Sequence, residues 1–207
     1  MRKTPIYLDN NAPTPLRAAA ITAMQDAMGP PANPSSVHGF GRNARLVVET
    51  SRSAVAMLAG CRAADVVFTS GGTEANNLVM AQYDHVITSA IEHDSAGHAH
   101  QNCEQIAVDE NGIVDLDMLA KAIAGIEDAA KPRTLISIMA ANNETGVIQP
   151  MDEIATMAES ANIALHSDMV QIFGKRHVNF SASKISYASL SAHKIGGPSG
   201  VGALLVR

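Results

Sequence analysis

Between residues 66 and 206 the chain alternates short β-branched or apolar runs with stretches of helical spacing, and this alternation most narrows the choice of fold. Residues 66–69, 85–88, 105–108, 135–140, 163–166, 185–190 and 203–206 read as seven strands. Between them, 73–83 reads as a helix. Asp115 caps another, with Leu116, Leu119, Ala120 and Ile123 inward, and 152–161 is a third, with Ile154, Met157 and Ala158 inward. Strands joined through helices cannot pair as tight hairpins, so they line up in parallel with helices on both faces. The expected fold is α/β: three layers, α/β/α, around a seven-stranded, mostly parallel sheet.

The first sixty residues follow a different pattern. Residues 12–15 and 29–36 are rich in Pro, Asn and Ser and read as loops. Residues 16–28 and 44–59 read as helices, the second with Leu46, Val47, Val55 and Leu58 as core contacts. No linker follows residue 60. Residues 1–60 are therefore expected as an N-terminal arm with helices, and 61–207 as one large domain.

Composition narrows the function classes. A net charge of −5 with no basic stripe argues against a nucleic-acid partner. No window is long and apolar enough for a membrane span, and Met1-Arg2-Lys3-Thr4-Pro5 lacks the apolar core of a signal peptide. Two cysteines, Cys61 and Cys103, make no disulfide framework, so a cytoplasmic location with both thiols reduced is expected. With no Trp and four Phe, ten Met and many Ala must fill the core.

In open parallel sheets ligands bind beyond the carboxyl ends of the strands. Each polar cluster of this chain falls there: Gly71-Gly72-Thr73, Glu92-His93, Asn142-Asn143-Glu144, Asp168 with Gln171, and Ser191 with His193-Lys194. Gly71-Gly72-Thr73 before a helix suits a phosphate, although the same residues also make a plain turn. Asp168 could keep a pyridine nitrogen protonated, or merely cap a helix. His93 could stack on a ring and move protons, or simply be solvated. Gln171 and Asn143 suit a phenolate oxygen, and Ser191 and His193 a phosphate. Lys194, between an apolar strand and a glycine turn, could form an imine with a carbonyl cofactor once burial or nearby positive charge lowers its pKa. A zinc reading competes through Glu92, His93, Asp94, His98 and His100, with His166 and Asp168 elsewhere.

Taken together, seven segments resemble the NifS/IscS-type cysteine desulfurases of the class V aminotransferase family. They are Tyr7-Leu8-Asp9-Asn10-Asn11; Asn33-Pro34-Ser35-Ser36-Val37-His38 with Gly41-Arg42 and Ala44-Arg45; Phe68-Thr69-Ser70-Gly71-Gly72-Thr73-Glu74; Glu92-His93; Asn142-Asn143-Glu144-Thr145-Gly146; Ser167-Asp168 with Gln171; and Ser191-Ala192-His193-Lys194. The resemblance implies the large domain of the fold type I pyridoxal 5'-phosphate enzymes. It implies that Lys194 carries the cofactor and shuttles protons, His93 stacks on its ring, and Asp168 pairs with the ring nitrogen. Gln171 and Asn143 would reach the phenolate edge. Thr73, Ser191, His193 and the Gly72 backbone would hold the phosphate, with no metal.

The implied reaction turns L-cysteine into L-alanine and passes sulfur to a protein thiol, for iron–sulfur cluster or thiolation pathways. Implied partners are a second copy or a second-half polypeptide, and a sulfur-acceptor protein. The resemblance covers the family's N-terminal, cofactor-binding half. The C-terminal small domain, the persulfide cysteine and a substrate-gripping arginine have no counterpart here, so the isolated chain is expected to be incomplete. The alternative is a catalytically inactive scaffold that pairs with a full-length relative or a separate C-terminal half. Three departures stand out: Pro13 for a common threonine, Ser199 for a common lysine, and Met169, expected to crowd the cofactor beside Asp168.

Overall fold

A computed structural model describes residues 5–29, 33–97 and 99–207. Parts of the sequence readings at residues 1–4, in the 29–36 loop at residues 30–32, and at His98 lie outside the described residues. The seven strands are β1 (Val66–Thr69), β2 (His85–Ser89), β3 (Cys103–Ile106), β4 (Thr134–Ser137), β5 (Ala164–Asp168), β6 (Tyr187–Ser191) and β7 (Gly202–Val206). They form one sheet in the order β1-β7-β6-β5-β4-β2-β3. Only β7 runs against its neighbours, β1 and β6, so the other six strands point the same way. The helices are α1 (Ala18–Ala27), α2 (Gly39–Ala59), α3 (Gly72–Met80), α4 (Asp94–Gly97), α5 (Leu116–Ala124) and α6 (Met151–Ala161).

Strand alternation shows the three layers. On β2, β4 and β7, the neighbours Val86/Ile87, Leu135/Ile136 and Leu204/Leu205 divide between two separate apolar clusters. The smaller cluster packs Val86, Leu135 and Leu204 under Ala75, Val79 and Met80 of α3. The larger packs Ile87, Ile136 and Leu205 under Ala56 and Ala59 of α2, Leu119 of α5, and Ile154 and Ala158 of α6. Each fully buried Leu or Ile contributes about 1.5–3 kcal/mol through apolar burial. The same alternation sends Asp168 to the α3 face and Met169 to the other. Met169 is buried in the larger cluster, so it does not crowd the rim beside Asp168.

Three differences from the sequence reading have physical causes. First, α2 begins at Gly39 rather than residue 44, because His38 Nδ1 caps it by accepting from Gly41 N–H. A Cβ on Gly41 would sit 2.2 Å from the Ser36 carbonyl oxygen, so the glycine that discourages a helix in sequence is what lets the loop approach it. Second, α2 buries its small residues: Ala56 and Ala59 are in the core and Val55 packs against it, whereas Leu46, Val47 and Leu58 are exposed. On α5, likewise, Ala122 packs inward and Ala120 is exposed. Third, regular β4 stops at Ser137 although Ile138 and Ala140 still donate to His166 and Asp168 carbonyls of β5. On its other side β2 has already ended, and the Glu92 carboxylate takes the Met139 N–H at 2.9 Å in its place.

Candidate active site

The common direction of six strands puts their carboxyl ends on one rim. Gly72, Thr73, His93, Asn143, Asp168, Gln171, Ser191, His193 and Lys194 all line a single cleft there, with Ser95, Met139 and Val170. A larger concavity of about 630 Å3 lies between β3 and α5 and holds none of these nine residues. The smaller cleft is the chemically meaningful one, because donors and acceptors from five loops converge in it.

The α3 end of the cleft is built on backbone contact. A Cβ on Gly202 would lie 2.5 Å from Gly71 Cα, and one on Gly72 would lie 2.8 Å from Val170 Cγ2. Glycine at these positions lets the first turn of α3 press against β7 and leaves its leading amides without carbonyl partners in the helix. Glu74 turns back to accept from Ser70 N–H, which holds its carboxyl below the usual range and leaves the mouth to Thr73, Ser191 and His193. Ser191 Oγ and His193 Nδ1 lie 2.8 Å apart. Burial, and then the charge of Lys194, push the His193 pKa down.

Lys194 follows β6 in a short 3-10 turn, Ala192–Lys194. Burial pulls its amine below the ordinary lysine value, opposed by the charges of Asp168, Asp9 and Glu144. Burial does the lowering, and Lys175, which also reaches Asn11, feels the charge of Lys194 and is lowered with it. Asp168, at the end of β5, accepts from Val170 N–H on Oδ1 and from Asn76 Nδ2 on Oδ2, both at 2.9 Å. Beneath it on the same face, His166 bridges Ser137 Oγ at 2.8 Å and Ser189 Oγ at 2.9 Å. Its complete burial depresses it to about 3, so it is a neutral packing group and not a ligand. Among the described residues no three His, Cys, Asp or Glu side chains are arranged to hold a metal ion, and the zinc reading finds no support in them.

Five further residues join the site, of which only Glu92 had a candidate role from sequence, in the zinc reading. Asn11 of the arm accepts from both Lys194 Nζ and Gln171 Nε2 on its carbonyl, and donates to the Asn143 carbonyl at 3.1 Å. Lys175 donates to Gln171 Oε1 at 2.9 Å and Asn11 Oδ1 at 3.2 Å. Asn76 and Ser95 lie behind Asp168 and His93. Glu92 is half-buried as a residue, but its carboxyl is sealed from solvent, and burial pushes it up to about 8. Asn11 stood in a recognisable segment, and Lys175 lies one helical turn past Gln171. Asn76 carried no signal beyond its place on α3.

Neither thiol is in the cleft. Cys61 packs against the core after α2, where burial, reinforced by Asp65 and opposed by Arg62, raises its pKa. Cys103 begins β3, 3.2 Å from Thr88 Oγ1 and at the opposite end of the sheet from the rim. No described helix is long and apolar enough to cross a membrane.

The aminotransferase class-V family model matches residues 6–207. Cysteine desulfurase IscS of Dictyoglomus turgidum is 38% identical over 221 residues, covering 99% of this chain and 55% of the relative. Its namesake from Rickettsia prowazekii is 38% identical over 222 residues, covering 98% and 52%. The X-ray structure of a NifS-like protein from Rickettsia africae superposes with a TM-score of 0.92 at 37% identity, covering 97% of this chain and 57% of that one. The chain thus spans about half the length of the curated relatives it matches. Matched in sequence across residues 6–207 and in structure across its whole sheet, the chain belongs to the class V aminotransferase family of pyridoxal 5'-phosphate enzymes, with their fold type I large domain.

Proposed function

We propose that this chain is the cofactor-binding part of a cysteine desulfurase, with residues 61–207 as the pyridoxal-phosphate domain and residues 1–60 as an N-terminal arm with helices. The carrying observation is the convergence of eight chemically matched side chains and the Gly72 backbone on one rim, with a partly buried Lys194 in the field of Asp168. The donor set fits the cofactor. Thr73, Ser191, His193 and the leading amides of α3 suit its phosphate, Asp168 its ring nitrogen, His93 its ring face, and Gln171 and Asn143 its phenolate edge. When bound, pyridoxal phosphate supplies an aldehyde that captures amines and a ring that draws electrons from the captured carbon.

The protein's own contribution is placement and proton control. Burial favours the neutral form of the Lys194 amine, the form that attacks a carbonyl and can afterwards carry a proton. Asn11 accepts from the amine on its carbonyl, and the charge of Glu144 reaches it. L-Cysteine or a similar amino acid is the proposed substrate, yielding alanine, with a protein thiol taking the sulfur. A partner is also proposed, either a second copy or a second-half polypeptide. Phe40, Leu46, Met57 and Leu58 of α2 and Ile6 and Leu8 of the arm all lie exposed, and such apolar surface favours a covering partner. An inert scaffold has no need of a buried amine facing a carboxylate, so the geometry gives that alternative no support.

The test is optical. Parent protein mixed with pyridoxal phosphate develops a visible absorption band beyond that of the free cofactor, and Lys194→Ala does not. A parent with no band, or an unchanged band in the variant, contradicts the proposal.

A further inference from the structure

Asn76 occupies α3 with no solvent exposure, and its amide nitrogen uses both hydrogens. One goes to Asp168 Oδ2 at 2.9 Å and the other to Ser95 Oγ at 3.0 Å. Ser95 Oγ therefore accepts from Asn76 and turns its own hydrogen to His93 Nδ1, 2.8 Å away. The Ser95 backbone N–H donates to that same Nδ1 at 3.1 Å. A ring nitrogen that accepts twice carries no proton, so the His93 proton sits on Nε2. The exposed His93 ring at the mouth is thus tied, through Ser95 and Asn76, to the buried carboxylate.

The amide cannot be reversed, because its oxygen would then face the Asp168 carboxylate. This orientation leaves Asn76 Oδ1 buried without a partner among the described residues. A bare buried acceptor destabilises a fold, so an apolar residue of similar shape would serve packing better.

We propose that Asn76 is a positioning residue that fixes two cofactor-facing groups at once: the aim of the Asp168 carboxylate and, through Ser95, the Nε2–H tautomer of His93. The proposal rests on the pyridoxal-phosphate reading of the site. It gives His93 a definite role there, that of a ring presenting its Nε2–H to the cleft. Without Asn76, the Ser95 hydroxyl is free to turn away, Nδ1 keeps only the Ser95 backbone N–H as a donor, and the second tautomer gains population.

The test uses the full chain with 15N-labelled histidine and no cofactor. In the parent, His93 Nδ1 resonates as an unprotonated ring nitrogen and Nε2 as a protonated one. In Asn76→Ala and in Ser95→Ala, Nδ1 moves toward the protonated value. Ser95 is only half-buried, so Ser95→Ala keeps the test decisive if Asn76→Ala fails to fold. In cofactor titrations Asn76→Ala binds pyridoxal phosphate about tenfold more weakly, as the loss of one hydrogen bond to a charged group implies, while Ser95→Ala, which keeps the Asp168 bond, loses less affinity than Asn76→Ala. A proton on Nδ1 in the parent, an unchanged Nδ1 in the variants, or equal affinity in Asn76→Ala overturns the proposal. The tautomer is read without cofactor, so a parent that binds no pyridoxal phosphate sinks the reading of the site and leaves the tautomer result standing.

Discussion

Raising the pH of the cofactor-free protein from 6.5 to 8 lowers its unfolding free energy by about 1 kcal/mol, and Glu92→Gln removes that loss. Two buried groups with opposite shifts produce the profile. His166, ordinarily at 6.5, is depressed to about 3 by burial. Between these limits the unfolded chain binds the extra proton, so stability rises with pH by ~1.4 kcal/mol per unit and is fully present only above 6.5. Glu92 is ordinarily at 4.5 and is pushed up to about 8 by burial, despite hydrogen bonds from Ser89 and Met139. Here the folded chain holds the extra proton, so stability falls with a similar slope from 4.5 to 8. The two slopes cancel between pH 4.5 and 6.5, leaving a plateau with an acid limb due to His166 and an alkaline limb due to Glu92. Urea titrations at pH 5.5, 6.5 and 8 read the alkaline limb directly. An equal alkaline loss in Glu92→Gln contradicts the assignment, whatever that variant's absolute stability.

The second large effect is an absence of turnover. Loaded with pyridoxal phosphate and given L-cysteine, the 207-residue chain binds the cofactor but releases no alanine or sulfide in steady state. Sulfur transfer needs a thiolate within reach of the substrate sulfur, and the two available thiols are badly placed. Cys61 is partly buried with its pKa raised, which disfavours the nucleophilic form. Cys103 lies at the amino ends of the parallel strands, a sheet length away from Lys194. Assays of alanine and sulfide check this together. Sustained release from the parent that is lost in Cys61→Ala or Cys103→Ala would show that one of these thiols serves after all. Adding a candidate second-half polypeptide that carries the missing groups is expected to restore release.

The fold was largely legible because strand and helix periodicities differ, and six strands left a short apolar run; β3, Cys103–Ile106, carries Glu104 and Gln105 and begins two residues before the run read from sequence. Boundaries failed where neighbours outside the run decide them. The end of β4 depends on Glu92 replacing a strand that has stopped, and the start of α2 on His38 and Ser36 meeting Gly41. The exposed Leu46, Val47 and Leu58 misled because apolar spacing marks a face but does not say what covers it. For the site, residues bearing chemistry at strand ends were visible, and the structure gathers them in one cleft. Asn76 and Asn11 act by hydrogen-bonding those residues across large sequence separations, and Ser95, beside His93 in sequence, reaches Asp168 only through Asn76; no local pattern encodes such partnerships.

The account depends on Lys194 being the group that takes up the cofactor aldehyde. Borohydride reduction of the protein with pyridoxal phosphate, followed by peptide mapping, tests this most directly. The account predicts one pyridoxyl group, fixed on the peptide containing His193 and Lys194. A tag on Lys175 or any other lysine, or no tag, contradicts it.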